Sequence, residues 1–164
     1  MKIITCLIVD DEPNAVQLLE DYIQKIPYLS LKQKCYDAFD AVQYMEKEKV
    51  DLVFLDINMP KMSGMELAAL LPKGQCIIFT SAYASFALEG YEYNALDYIL
   101  KPIIFKRFVQ AVEKVRDYNG LELEFDFNIT PDAEVEVILD RNSGHGMKGK
   151  GNGSLLFKIN TLGK

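Results

Sequence analysis

Histidine is nearly missing from this sequence, cysteine is sparse, and basic residues are outnumbered. His145 is the only histidine and stands alone, and Cys6, Cys35 and Cys76 contain no pair at zinc-site spacing. A zinc centre built from Cys and His is therefore excluded. Each cysteine lies in or beside an apolar run, so buried, reduced thiols of a cytosolic protein are expected rather than a disulfide framework. Lys and Arg number 18 against 24 Asp and Glu, giving a formal charge of -6 and a pI near 4.9. That balance argues against broad, unaided nucleic-acid binding, which rests on clustered basic residues facing phosphates. No stretch is long and apolar enough to span a bilayer. The apolar run Ile3 to Val9 is too short for a signal-peptide core and runs straight into Asp10 and Asp11. A cytoplasmic location without membrane contact is expected.

What the 164 residues do contain is core material: 49% are hydrophobic, enough for one domain and an appendage. Ile3 to Val9 is apolar without alternation, the pattern of a central strand buried on both faces. After Pro13 the period changes, and Ala15, Leu18, Leu19, Tyr22, Ile23 and Ile26 form a helical stripe that Pro27 closes. The alternation repeats. Strands are expected over Leu29 to Tyr36, Leu52 to Leu55, Cys76 to Phe79 and Asp97 to Leu100. Helices are expected over Ala38 to Glu48, Met65 to Leu71, Phe86 to Tyr93 and Phe105 to Tyr118. Such alternation predicts an α/β fold: a doubly wound, five-stranded parallel sheet in the flavodoxin-like order 2-1-3-4-5.

Beyond Asn119-Gly120 the character changes. Leu121, Leu123, Phe125, Phe127 and Ile129 alternate strictly with polar residues, and Val135 to Leu139 and Ser154 to Asn160 are further strand segments. Between the last two lies a Gly-rich, basic stretch. The expected division is an α/β domain over residues 1–119 and a short β-rich appendage over 120–164, too small to bury a convincing core alone.

The polar residues fall at one place in this scheme. Asp10 and Asp11 follow the first strand, Asp56 the third, Thr80 and Ser81 the fourth, and Lys101 the fifth. All are carboxyl ends of strands, the rim where open α/β sheets bind ligands. Taken singly, an acid there is a turn former or helix cap, a hydroxyl a local turn former, and Lys101 a solvated side chain. Tyr98 singly is an aromatic on a half-exposed strand. Together they make a site, because random placement would scatter them over both rims. Three carboxylates in close array call for a cation, and Mg²⁺ suits an all-oxygen set. A carboxylate also serves as a nucleophile toward phosphorus, and a hydroxyl and an ammonium can bind the phosphoryl oxygens. Lys101 precedes Pro102, where a cis bond is admissible at modest cost.

Three segments carry a family resemblance: Ile8-Val9-Asp10-Asp11-Glu12-Pro13, Leu55-Asp56-Ile57-Asn58-Met59-Pro60 with Gly64, and Asp97-Tyr98-Ile99-Leu100-Lys101-Pro102. They resemble the receiver domain of two-component response regulators over Lys2 to about Tyr118. Phe79-Thr80-Ser81-Ala82-Tyr83 with Ala95-Leu96-Asp97-Tyr98 is similar to receivers that precede LytTR-type DNA-binding domains. The resemblance implies that Asp56 is the phosphoacceptor, and that Asp10, Asp11, Asp56 and the backbone carbonyl of Asn58 hold Mg²⁺. It implies that Lys101 pairs with the phosphoryl group, that Ser81 (with Thr80 the runner-up) is the switch hydroxyl, and that Tyr98 is the switch aromatic. A sensor histidine kinase would be the donor, the output would be transcription regulation, and a homodimer would form through the face of the last two helices, where Tyr91 and Tyr93 are expected exposed.

The appendage does not look like a complete LytTR domain, so DNA contact is expected only through an output domain that this stretch does not supply. Thr130 to Val135 and Gly151 to Lys164 instead resemble a β-rich segment of translocation and assembly module proteins. Two rival classes remain. An aspartyl-nucleophile phosphatase on the same fold would carry a second acid two residues on, where this chain has Asn58; phosphoester turnover discriminates. A flavodoxin-like cofactor binder would need a hydroxyl- and Gly-rich loop after the first strand, where this chain has Asp10-Asp11-Glu12-Pro13.

Overall fold

Each apolar run that fails to alternate becomes a strand of one parallel sheet. The computed structural model describes residues 2–86, 93, 95–120, 136–139 and 158–161. In Met1–Gly120, one of two units, the elements are β1 (Ile4–Val9), α1 (Pro13–Gln24), β2 (Leu29–Cys35), α2 (Ala38–Lys47), β3 (Leu52–Asp56), α3 (Gly64–Leu70), β4 (Cys76–Ser81), a 3-10 turn (Ala84–Phe86), β5 (Asp97–Leu100) and α4 (Phe105–Gly120). The strand order is β2-β1-β3-β4-β5, all pairs parallel. The helix expected over 86–93 falls mostly outside the described residues.

Alternation along the strands sorts the core into two layers. Cys6, Ile8, Phe54, Ile78 and Ile99 face α1 and α4, meeting Val16, Leu19 and Ile23 from one helix and Phe108, Val112 and Val115 from the other. Leu7, Val9, Val53, Leu55, Ile77 and Phe79 face α2 and α3, meeting Ala38, Ala41, Leu67 and Ala68. Phe54 and Phe108 stack with centroids 5.4 Å apart. Each such fully buried ring stabilises the fold by about 2–3 kcal/mol. One detail of the helical stripe differs from expectation. α1 buries Val16 with Leu19 and Ile23, and Ala15 is only half-buried. Val16 lies one turn before Leu19 and two before Ile23, so it shares their face. Tyr93, expected exposed, is half-buried with its ring 6.4 Å from Phe79, and Tyr91 lies outside the described residues.

Local chemistry sets the helix starts. Asp37 caps α2 by accepting from the Asp40 N–H at 2.8 Å. Ser63 and Glu66 form a reciprocal capping box on α3. α1 begins with Pro13 but its N-cap residue, Glu12, makes no side-chain cap bond. The Lys101-Pro102 peptide is cis. In Leu121–Lys164, β6 (Glu136–Leu139) and β7 (Lys158–Thr161) pair in parallel. The strand expected over 121–129 lies outside the described residues.

Candidate functional site

The register of the sheet brings the predicted residues to one rim. β1 pairs with β3 up to Val9 and Leu55, so Asp10 and Asp56 are the next residues on adjacent strands. Asp56 is paired with Thr80, and Ser81 with Leu100, the residue before Lys101. Lys101 Nζ lies 2.9 Å from Asp10 Oδ2 and 3.3 Å from Asp56 Oδ1. It also donates to Glu12 Oε1 at 3.3 Å. Asp10, Asp11 and Asp56 each offer a carboxylate oxygen within 4.8 Å of the others.

The charges at this rim do not balance. Asp10 is 0% and Asp56 2% exposed, and a buried carboxylate without partners is costly. Asp10 Oδ1 accepts from the Glu12 N–H at 2.9 Å. Asp10 Oδ2 has the ammonium nearby without hydrogen-bond alignment, and Asp11 Oδ1 and Asp56 Oδ2 are equally buried and unbonded. Burial, reinforced by the Asp10 charge and only partly opposed by Lys101, pushes the Asp56 carboxyl up to about 7. Burial also raises Asp10, against the pull of Lys101. Burial pulls Lys101 the other way, but its carboxylate neighbours outweigh that and hold the ammonium above its ordinary range. Three carboxylates that approach within 4.8 Å, each with a buried oxygen that makes no hydrogen bond, suit a hard divalent cation, so these residues fit Mg²⁺.

The loop after β3 is held tightly around Asp56. Gly64 donates its N–H to the Ile57 carbonyl at 2.9 Å, and a Cβ at Gly64 would collide with the Asp56 carbonyl. Lys61 takes a positive φ of 69°, and the Met62 N–H reaches back to the Pro60 carbonyl at 2.8 Å, the bond of a tight γ-turn. Asn58, in the same loop, donates its side-chain amide to Ser81 Oγ at 3.4 Å.

Ser81 and Tyr98 meet at one residue. Ser81 Oγ accepts from the Tyr83 N–H at 3.0 Å, and the Tyr98 hydroxyl donates to the Tyr83 carbonyl. Thr80 is as buried as Ser81, and its carbonyl accepts from the Ile57 N–H at 3.0 Å. Three contacts escape sequence reading. One is Glu12 on Lys101. Another is Arg107 of α4, whose guanidinium forks onto Asp97 at 2.8 and 2.6 Å and onto the Tyr98 carbonyl at 2.8 Å. The third is Lys114, 3.0 Å from Asp97. Burial alone would raise Asp97, yet these cations and the Tyr98 N–H hold its carboxyl below the usual range. No periodic pattern marks such pairs; only the turn-by-turn proximity of a strand and its following helix could suggest them.

Comparison with known proteins agrees with this geometry. Residues 6–113 match the profile of the response regulator receiver domain. The chain is 40% identical over 147 residues to a response regulatory protein of Shewanella oneidensis, covering 87% of this chain and 56% of that one. It is 32% identical over 144 residues to the transcriptional regulatory protein BtsR of Salmonella typhi, covering 87% and 59%. The chain thus spans somewhat more than half the length of these curated relatives, and the matches extend past Gly120. The structure also superposes on the response regulator TrrA of Thermotoga maritima, solved in complex with Mg²⁺-BeF, with a TM-score of 0.61 and 30% identity, over 70% of this chain and 99% of that one. Among the described residues, no helix is long and apolar enough to cross a membrane.

Proposed function

The chain belongs to the family of response regulator receiver domains, and from that membership we infer that Asp56 accepts a phosphoryl group and that its phosphorylation switches a protein-binding surface. Receiver domains are signalling switches of phosphorelays rather than classical enzymes. The observation that carries the reading is Lys101 lodged between Asp10 and Asp56 while three buried carboxylate oxygens of Asp10, Asp11 and Asp56 make no hydrogen bond. The donor is a phosphohistidine on a sensor histidine kinase, or a small acyl phosphate.

In the reaction an Asp56 carboxylate oxygen attacks phosphorus, and the bond to the donor's leaving group breaks, giving an acyl phosphate. Asp10, Asp11 and Asp56, with the backbone carbonyl of Asn58, would hold Mg²⁺. Bound there, the ion would offset the charge that develops on the transferred oxygens. Lys101 turns its ammonium to a phosphoryl oxygen, and Ser81 donates its hydroxyl to another. Leaving its present position, Ser81 gives up the Tyr83 N–H, and Tyr83 is also where the Tyr98 hydroxyl is held. The phosphoryl charge therefore biases Tyr98 through one backbone unit.

The surface so altered is the β5–α4 face. A groove of about 360 Å³ there is lined by Ala84, Tyr98, Leu100, Pro102, Ile104 and Arg107, and Leu100 and Ile104 are exposed. Homodimerisation through this face, as in a LytTR-like regulator, is the form of output we favour. Regulation of transcription is supported by the name of the BtsR relative, a transcriptional regulatory protein, and a cytoplasmic location would go with that role. The test is intact-mass spectrometry after acetyl phosphate treatment. One phosphoryl adduct is expected with Mg²⁺ and none after chelation; an adduct that persists unchanged in the Asp56→Asn variant removes the assignment.

A further inference from the structure

Glu12 occupies a helix N-cap and does not cap the helix. Residues with short oxygen-bearing side chains are preferred there because they bond the free N–H groups of the first turn. The Glu12 carboxylate instead crosses to Lys101, 3.3 Å away and 89 positions along the chain. It is the exposed member of the set around the ammonium: Glu12 is 65% exposed at its side chain, against 1% for Asp10 and 2% for Asp56. Its backbone is fixed beside the cluster, since its N–H donates to Asp10 Oδ1 at 2.9 Å.

Consider what Lys101 must do when a dication engages the three aspartates. The ammonium lies against both Asp10 and Asp56. A dication held by the unbonded oxygens would compete with the ammonium for Asp10 Oδ2 and repel it from the cluster. Of its three carboxylate partners, only Glu12 lies outside the triad that would hold the ion. We propose that Glu12 is a positioning residue for Lys101, the carboxylate that keeps the ammonium at the mouth of the acidic cluster when a divalent cation takes Asp10, Asp11 and Asp56. Without it the displaced ammonium keeps only the oxygen of a carboxylate already engaged by the dication, Asp56 Oδ1, and cation binding is opposed by their repulsion. This role rests on the phosphorelay reading, because it presupposes the cation.

The test is a calorimetric Mg²⁺ titration of the whole chain as wild type, Glu12→Gln and Glu12→Asp, each also in a Lys101→Ala background. Aspartate keeps the charge but is one methylene shorter, and at an N-cap it turns to the helix N–H groups. Both single variants are expected to bind Mg²⁺ about three- to fivefold more weakly than wild type, the range of a partly exposed ion pair. In the Lys101→Ala background that difference should vanish. Wild-type affinity in Glu12→Asp, or an equal loss with and without Lys101, overturns the proposal and leaves a general charge effect. Wild-type affinity in Glu12→Gln overturns it outright. A wild-type chain that binds no Mg²⁺ overturns the phosphorelay reading and this role with it.

Discussion

The two rims of the sheet are built from the same residue types and treat them in opposite ways. At the amino rim, Asp51 accepts from both the N–H and the hydroxyl of Thr5 at 2.8 Å, and its own N–H returns a bond to the Thr5 carbonyl at 3.0 Å. Beside it, the Gln75 amide donates to the carbonyls of Val50, Asp51 and Cys76. At the carboxyl rim, Asp10, Asp11 and Asp56 each keep a buried oxygen without a hydrogen bond, and one lysine serves several acids. A polar group bonded on every side holds strands in register and does nothing else. A polar group left short of partners costs stability and stands ready for a ligand. The contrast sets the carboxyl rim apart more sharply than either rim would alone.

Substitution should expose the contrast as effects of opposite sign. The largest change is expected at the amino rim. Asp51→Ala strands both Thr5 donors and should lower unfolding free energy by about 2–3 kcal/mol in urea titrations, with Mg²⁺ affinity unchanged. At the carboxyl rim the change should go the other way. The Asp56 carboxyl is raised in the folded state to about 7. A raised carboxyl favours the fold while protonated and loses that contribution as pH climbs from its unfolded value through the folded one. Asp56→Asn should therefore be more stable than wild type near pH 8 in chelator, by about 1–3 kcal/mol, with the gap closing toward about pH 4. Mg²⁺ should raise the melting temperature of wild type and leave that of Asp56→Asn nearly unmoved. A wild type more stable than the variant at high pH in chelator would deny that the carboxyl rim is strained.

A smaller effect belongs to the fork between β5 and α4, a third arrangement in which burial is matched by two cations. Asp97 is held low by Arg107, the Tyr98 N–H and Lys114. A lowered carboxyl contributes stability above its unfolded value and loses it as pH falls through the folded one. Arg107→Gln should cost about 1 kcal/mol at neutral pH, and the difference should fade below about pH 4. A penalty that persists unchanged in acid would mean that Arg107 acts by packing on Tyr98 rather than by charge.

The legible part of this molecule was written in apolar runs and in the polar residues that stop them. β1, β3 and β4 are mainly apolar stretches, and the residues at their ends, Asp10, Asp56 and Ser81, needed only the strand order to be brought together. The illegible part consists of long-range polar pairs. Nothing in the spacing of Thr5 and Asp51, or of Glu12 and Lys101, distinguishes them from solvated residues. The α1 stripe shows a related limit. Ala15 and Val16 are both apolar, and it is Val16 that joins Leu19 and Ile23 in the buried cluster with Ile8 and Phe54. The cysteines illustrate the converse case: Cys6, Cys35 and Cys76 are buried and free, and burial pushes the first two thiols up to about 12 and the third to about 11.

The most direct test of the carboxyl rim is chemical mapping of the phosphoryl adduct. Protein treated with acetyl phosphate and Mg²⁺ is reduced with borohydride, which converts an acyl phosphate at aspartate into homoserine, and the digest is sequenced by mass spectrometry. The account predicts conversion at residue 56 alone. Conversion at Asp10 or Asp11, or none in protein that binds Mg²⁺, would contradict it.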